Sequence, residues 1–423
     1  MLCILSMTAV DPMPLFYSLR PFLSLMVSIG LLAPLPSAAA ANPSPSVSAA
    51  SPVVISVMRP APAGDQRAAS TARLLAGLPP TLPAHFDLAQ SNEWREHRDI
   101  LQAGWAKVKQ GRGSVMARWR DASIGNACGR SGTLLYPFSG PDFANAYLLF
   151  PGCRNYILFG LELPGAVPEL EDLDRVALGK LLGDVRVAVG DLIERNYFIT
   201  SRMSRQLHTS QLRGVVPVLI ASMALAGLEV HSVEPLTLTR TEPDEEIGQS
   251  DAKPPLRKLR GVRIAFQRPD GPVQTLQYFS VDATNRGLAP YPEFLAHLRA
   301  AKPAPMLIKS ASYLLQDKQF RAMRDTLLEA ADFLVQDDTG MPYDVLKAGG
   351  WDMRLYGGYR KPIQPFHWAY QAGLDSAYKS SRAAELPFSF SYHWRGGKSN
   401  AMVARRVAIQ AAVPTSEGAI AER

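Results

Sequence analysis

The sequence predicts an α+β protein, with mostly antiparallel strands packed against several helices in a single large globular domain. Hydrophobic residues make up 47% of the chain and charged residues 20%, which is typical of a globular protein. Apolar residues recur at helical spacing over residues 169–193, whereas residues 388–394 alternate strictly between apolar and polar. A turn signature at residues 268–271 separates two further apolar runs. Strands joined by short turns, and set apart from the helices, favour an antiparallel sheet.

Helical periodicity predicts several helices along the chain. Ser91 or Asn92 is placed to cap the first of them. Pro217 suits the first turn of a helix that is apolar on nearly every face and is therefore expected to be buried. The predicted helices cover residues 94–108, 115–119, 169–193, 215–228, 292–298 and 320–334.

The strands are predicted from short apolar runs bounded by Gly and Pro. An acidic, proline-containing loop at residues 242–255 separates two of them, and residues 309–315 are expected to form a buried segment. The predicted strands cover residues 133–136, 155–159, 229–239, 261–266, 273–281, 388–394 and 402–409.

The N-terminal 41 residues predict a secretory signal peptide. Arg20 precedes a short apolar core over residues 22–33, and small residues follow Pro36. This core is too short for a membrane-spanning helix, which needs ~20 residues. We therefore expect a periplasmic or secreted protein with no transmembrane span after cleavage. An uncleaved anchor is the alternative interpretation.

The remainder of the chain divides into three segments by composition. Residues 42–81 are rich in Pro, Ala and Ser and lack sustained apolar periodicity, which predicts a disordered tether. Residues 82–410 are expected to form the globular domain. Residues 411–423 are expected to form a flexible tail.

Two cysteines, Cys128 and Cys153, bracket the densest run of aromatic, Gly and Pro residues in the chain. In an oxidising compartment two such cysteines pair more often than they act as nucleophiles or metal ligands. We therefore predict a disulfide. Two separate buried thiols are the alternative interpretation.

Charge and motifs exclude several functions. The net charge of +7 is scattered, with no basic tract or stripe, so nucleic-acid binding is not expected. No zinc motif, phosphate loop or serine-hydrolase elbow is present, and we expect neither a metal nor a cofactor. Asp338, Thr339 and Gly340 match the aspartic-protease triplet, but that chemistry needs a second copy, which the chain lacks. We interpret the triplet as a loop that ends a helix.

Four carboxylates remain as candidate site residues: Asp142, Glu162, Asp337 and Asp338. Paired carboxylates serve as acid and base in hydrolases and lyases. Function concentrates on loops held by a rigid scaffold, which favours residues 137–142 and 351–370. We predict one cleft that joins the carboxylates and is rimmed by aromatic side chains, with Tyr136, Tyr356 and Trp368 as candidates. Completion of the core is the alternative role for these aromatics.

A combination of short motifs resembles a family of exported bacterial proteins with no assigned function. The motifs are YPFSGPDF at residues 136–143, GLE at 160–162, KSASY at 309–313 and QDDTG at 336–340. The resemblance covers most of residues 94–405. It implies that these motifs converge in the fold, and it carries no catalytic assignment.

Two function classes follow from these observations. The first is a non-catalytic binding protein for an envelope component or a small ligand, because no catalytic motif with specific spacing is present. The alternative is a hydrolase or lyase that acts on an envelope polymer through paired carboxylates. Two carboxyl groups about 5 to 10 Å apart and facing solvent would favour the enzyme. Buried capping roles would favour the binding protein.

Overall fold

The computed structural model describes residues 65–129, 132–198, 200–209, 211–238, 258–392 and 399–407. The predicted signal peptide, most of the predicted tether, the acidic loop and the predicted tail lie outside the described residues. Within the described part of the chain, no helix combines the length and the apolar character that a bilayer span requires.

The strands form one nine-stranded sheet with the order β3-β4-β5-β2-β1-β6-β7-β9-β8. Its strands are β1 Thr133–Pro137, β2 Asn155–Gly160, β3 Glu229–Leu238, β4 Leu259–Gln267, β5 Val273–Ser280, β6 Ala304–Ile308, β7 Ala331–Gln336, β8 Trp351–Gly357 and β9 Asn400–Arg406.

The combination of helices and strands is as predicted. The sheet is mixed, however, so the predicted predominance of antiparallel pairing is wrong. The strands β5, β2, β1, β6 and β7 are paired in parallel. Antiparallel pairs flank them on both sides. The two central strands β1 and β6 are buried at every position, so their sequences are continuous apolar runs that carry no alternation. Such runs do not indicate strand direction, and β6 was missed altogether.

Helices cover both faces of the sheet. Leu134 and Tyr136 of β1 belong to one apolar core, and Leu135 between them belongs to the other, as expected for alternating side chains. The first seven helices contribute to the first core and the last five to the second. They are α1 Gln66–Leu75, α2 Asn92–Val108, α3 Ser114–Ser123, α4 Phe143–Leu149, α5 Arg175–Arg195, α6 Thr200–Gln206, α7 Val216–Leu225, α8 Asn285–Leu288, α9 Pro292–Ala300, α10 Arg321–Ala330, α11 Tyr343–Ala348 and α12 Ala372–Ser380.

Helix α1 lies inside the segment predicted to be a disordered tether. Asp65 caps it by accepting hydrogen bonds from two backbone N–H groups, and Ala68, Ala72 and Leu75 are buried at helical spacing. Small alanine side chains give a weak periodicity signal, yet they allow close packing against the core. Ordered structure therefore begins before residue 82.

Two other expectations are corrected. Residues 388–392 form no strand; Phe388 and Phe390 are buried because an irregular segment packs them into the core. The Asp338 triplet follows strand β7, not the end of a helix, because α10 ends at Ala330 and passes directly into β7. The continuous apolar stripe over residues 320–334 concealed this change.

Candidate functional site

The carboxyl ends of the parallel strands bring the predicted motifs together. After β1 the chain forms β2, which pairs with one side of β1, and then β3, β4 and β5 in the same half of the sheet. It then returns to form β6 on the other side of β1. The adjacent ends of β1 and β6 therefore form a switch point, which is where ligands bind in open α/β sheets. The motifs at residues 136–143, 309–313 and 336–340 follow β1, β6 and β7, respectively.

A buried ion pair joins the first two of these loops. The Nζ of Lys309 lies 3.1 Å from Oδ2 of Asp142, and both side chains are inaccessible or nearly so. Tyr136 donates to the same oxygen at 2.8 Å, and the amide of Asn145 donates to both carboxylate oxygens. Lys309 also donates to the backbone carbonyl of Asn196. Burial lowers the pKa of Lys309, and the carboxylate of Asp142 opposes that shift.

Asp337 ties the loop after β6 to the loop after β7. It accepts a hydrogen bond from the backbone N–H of Ser310 at 2.7 Å. It also accepts from the backbone N–H of Thr339 at 2.9 Å and from the hydroxyl of that residue. The Thr339 hydroxyl oxygen in turn accepts from the N–H of Ala311 at 2.7 Å. Asp337 is therefore a structural acceptor that shapes both loops.

Asp338 anchors strand β9 and an aromatic residue. It accepts from Tyr313 Oη at 2.7 Å and from the amide of Asn400 at 2.9 Å. Burial and the negative charge of neighbouring Asp337 raise the pKa of Asp338 to about 7. Near neutral pH this carboxyl group therefore carries a proton in part of the molecules.

The loops at this edge contain unusual backbone conformations. Phe138 after β1, and Ser310, Ser312 and Tyr313 after β6, all have positive φ angles between 52° and 60°. Residues other than glycine pay of order 1–3 kcal/mol for such conformations, which cluster at binding and active sites. The hydrogen bonds that Ser310 N–H donates to Asp337 and Tyr313 Oη donates to Asp338 compensate part of that cost in the loop after β6.

Glu162 occupies a separate position after β2. Tyr278 Oη donates to its backbone carbonyl at 3.0 Å and lies 3.4 Å from its carboxylate. Burial raises the pKa of Glu162. Its carboxylate lies beside Gly140 of the loop after β1. Among the described residues it shares no hydrogen-bond partner with Asp142, so it borders the buried network without joining it.

A partly exposed aromatic cluster, which we call the aromatic mouth, lies beside Tyr313 and the loop after β6. We define it as Ser310, Ser312, Phe366, Trp368 and Tyr392. Phe366 stacks on Tyr392 with ring centroids 5.9 Å apart, and Trp368 is 58% exposed. The ring of Tyr313, whose hydroxyl binds Asp338, lies 5.2 Å from Phe366 and 6.5 Å from Trp368.

Of the aromatic candidates, Tyr136 and Trp368 lie at this edge but Tyr356 does not. Tyr356 is buried in β8, where its ring packs edge-on against Trp119 at 5.1 Å. It completes the core, which was the alternative role considered for it.

Sequence reasoning missed Lys309, Tyr313 and Asn400 as members of the site. A lysine directly after a buried apolar run was a usable signal for Lys309, because a buried ammonium needs a partner. Asn400 is hydrogen-bonded to Asp338 across a separation of 62 residues, and no local pattern indicates such a contact.

The cysteine pair lies at the opposite end of β1 and β2. The two sulfur atoms are at disulfide distance, with Cα atoms 5.1 Å apart, which confirms the predicted pair. Cys153 lies two residues before β2, so the bridge restrains the amino ends of the strands whose carboxyl ends form the site.

The geometry limits the chemistry of this site. Asp142, Asp337 and Asp338 are at most 3% exposed and are occupied by structural hydrogen bonds. Among the described residues, no group of three or more His, Cys, Asp or Glu side chains is placed to hold a metal ion.

The chain matches no model of a known protein family, no curated protein and no solved structure. The fold and the site therefore define its class: a protein with helices on both faces of a mixed sheet, and with a buried polar network at the carboxyl ends of the central parallel strands. A fold of this type hosts many unrelated functions, so function has to be argued from the site.

Proposed function

We propose that this chain is an exported, non-catalytic binding protein that holds a small ligand or an envelope component at the aromatic mouth. One observation carries the proposal: the carboxylates are buried and engaged in structural hydrogen bonds, while the residues of the aromatic mouth are partly exposed. Carboxylates that are buried and accept structural hydrogen bonds favour a binding protein over acid–base catalysis.

The mouth supplies both kinds of contact that a polar ligand with an apolar face requires. Trp368 is 58% exposed and offers a ring face. The hydroxyl of Ser310 is buried and has no hydrogen-bond partner within the described protein. A buried hydroxyl without a partner costs of order 1–3 kcal/mol, which a ligand hydrogen bond would recover. A sugar unit of an envelope polymer combines these features.

The support beneath the mouth is rigid. Tyr392 Oη is 2.8 Å from Ser312 Oγ and donates to the carbonyl of Ser310 at 3.0 Å. Asp337 holds the backbone of the same loop from below. Because the loop is ordered in advance, binding would lose little conformational entropy.

The N-terminal signal and the motif resemblance support export, and the cysteine pair fits an oxidising compartment. We include in this proposal the interpretation that the described residues belong to a single globular domain of the resembled family.

Binding of soluble oligosaccharides and muropeptides released from a bacterial envelope tests the proposal. We expect Trp368→Ala and Ser310→Ala to weaken binding by about tenfold or more, with melting temperatures close to that of the parent protein. Phe86→Ala is the matched control, since Phe86 is 48% exposed and belongs to a different part of the fold. Absence of binding, or equal losses in the control, would contradict the proposal.

A second candidate function, a hydrolase or lyase that acts on an envelope polymer through paired carboxylates, is favoured by the adjacent carboxyl groups of Asp337 and Asp338. The pKa of Asp338, raised to about 7 by burial and by Asp337, suits a general acid or base near neutral pH. A hydrolase or lyase using this group would release new polymer ends from the same material, and Asp338→Asn would abolish that release. No release by the parent protein would dismiss the enzyme.

A further inference from the structure

A second surface lies at the outer edge of the sheet. A groove of about 570 Å³ is bounded by α11, α12 and the outer edge of β8. We call it the β8 groove. The helix α12 turns only small residues toward it: Gly373, Ser376, Ala377 and Ser380. These leave the backbone of β8 accessible from the side.

Among the described residues, no strand lies beside the first half of this strand edge. The carbonyl of Leu355 accepts from the N–H of Ala384, and the N–H of Gly357 donates to the carbonyl of Ala384. The backbone N–H and C=O groups of residues 355 and 357 therefore point away from β9, toward the outer edge of β8. Because groups on alternate residues of a strand point to the same side, the N–H and C=O of Met353 also point away from β9 and into the groove. Ala384 pairs only with the far end of β8.

The groove is cationic. Lys347 and Arg382 line it and are exposed, and among the described residues no aspartate or glutamate does so. Neither forms an ion pair with a described residue. Arg354 also borders the groove, but its guanidinium carbon lies 5.2 Å from the centroid of the Tyr356 ring, on the face of β8 that is directed toward the first core.

We infer that the β8 groove binds an acidic peptide segment in an extended conformation, which adds as a strand to the free part of β8. The outward N–H and C=O of Met353 would pair with the backbone of the peptide. Its acidic side chains would meet Lys347 and Arg382. An exposed strand edge is a template for pairing, and proteins often protect such edges. This surface is distinct from the aromatic mouth and does not depend on the function proposed for it.

The role of charge is tested by measuring the binding of two short fluorescent peptides. One alternates glutamate and threonine, and the other alternates lysine and threonine. We expect only the acidic peptide to bind. Lys347→Glu and Arg382→Glu should each weaken its binding about tenfold, because each turns an attraction into a repulsion. Arg286→Glu and Lys318→Glu, exposed cations outside the groove, should leave binding unchanged. Equal losses in the groove and control variants, or binding of both peptides, would overturn the inference.

Strand addition is tested separately from charge. The same acidic peptide N-methylated at alternate residues keeps its charge but loses the donors that pair with a strand, and we expect its binding to be lost. Met353→Pro should have the same effect, since proline removes the outward N–H yet is tolerated on strand edges, while Met353→Ala should bind normally. The N-methylated peptide keeps the test valid if the proline variant fails to fold. Unchanged binding of that peptide would disprove strand addition.

Discussion

The ammonium group of Lys309 and the carboxylate of Asp142 form a buried ion pair, 3.1 Å apart, that joins the ends of β6 and β1. The pair lies at the point where the chain crosses from one half of the sheet to the other. It therefore holds together two loops that approach each other only through the tertiary fold.

Removal of one partner of this pair should strongly destabilise the protein. Asp142→Ala leaves the Lys309 ammonium buried without its counter-ion, which costs about 3–5 kcal/mol in comparable sites. Denaturant unfolding measures the loss. Lys309→Met combined with Asp142→Ala should cost less than the sum of the two single changes, because neither charge then remains unpaired. Additive losses would show that the two groups do not interact, and Lys318→Met serves as a surface control.

Asp338 should make the protein less stable as the pH rises. Its pKa in the folded state, about 7, lies above the usual value of 3.8, so the folded state binds more protons between these values. This contribution is present below the usual pKa and is lost as the pH rises toward 7.

Comparison with Asp338→Asn isolates that effect. Burial lowers the pKa of His97 and of His297 to about 4, which gives the opposite pH trend in both proteins. Unfolding free energies at about pH 5 and about pH 8 should show that the asparagine variant gains stability relative to the parent as pH rises. A difference between the two proteins that does not vary with pH would refute the assignment to Asp338.

The disulfide should stabilise the fold by restricting the unfolded chain. Its two cysteines are 25 residues apart, and closing a loop of this size contributes roughly 3 kcal/mol. We expect Cys128→Ser with Cys153→Ser to unfold at correspondingly lower denaturant concentration. Mass spectrometry without reduction should detect the cross-linked peptide. Two free thiols in the mature protein would contradict this prediction.

Export predicts a processed N-terminus. Expression with the full leader should yield a mature protein that begins at residues 39–42, because small residues follow the apolar core there. N-terminal sequencing of the periplasmic and secreted fractions measures this. Intact leader on a membrane-bound product would support the uncleaved anchor instead.

Local information in the sequence was sufficient for features that depend on neighbouring residues. The periodicity over residues 169–193 predicts the helix found as α5, although that helix begins only after its cap at Asp174. The pairing of Cys128 with Cys153 was also predicted from the sequence. The carboxylates Asp142 and Asp338 were proposed from local motifs, a Gly-Pro-Asp turn and an Asp-Thr-Gly triplet.

The tertiary structure decided how these parts combine. Strands that are buried on both faces show no alternation of apolar and polar residues. The sequence therefore does not indicate that β1 and β6 are parallel, and this direction follows from packing between two helical layers. Lys309 became part of the site because the crossover places β6 beside β1, 167 residues from Asp142 along the chain. Burial then set the protonation of Asp338 and removed its carboxylate from solvent. Sequence determined which chemical groups are present; non-local contacts determined which of them meet and in what charge state.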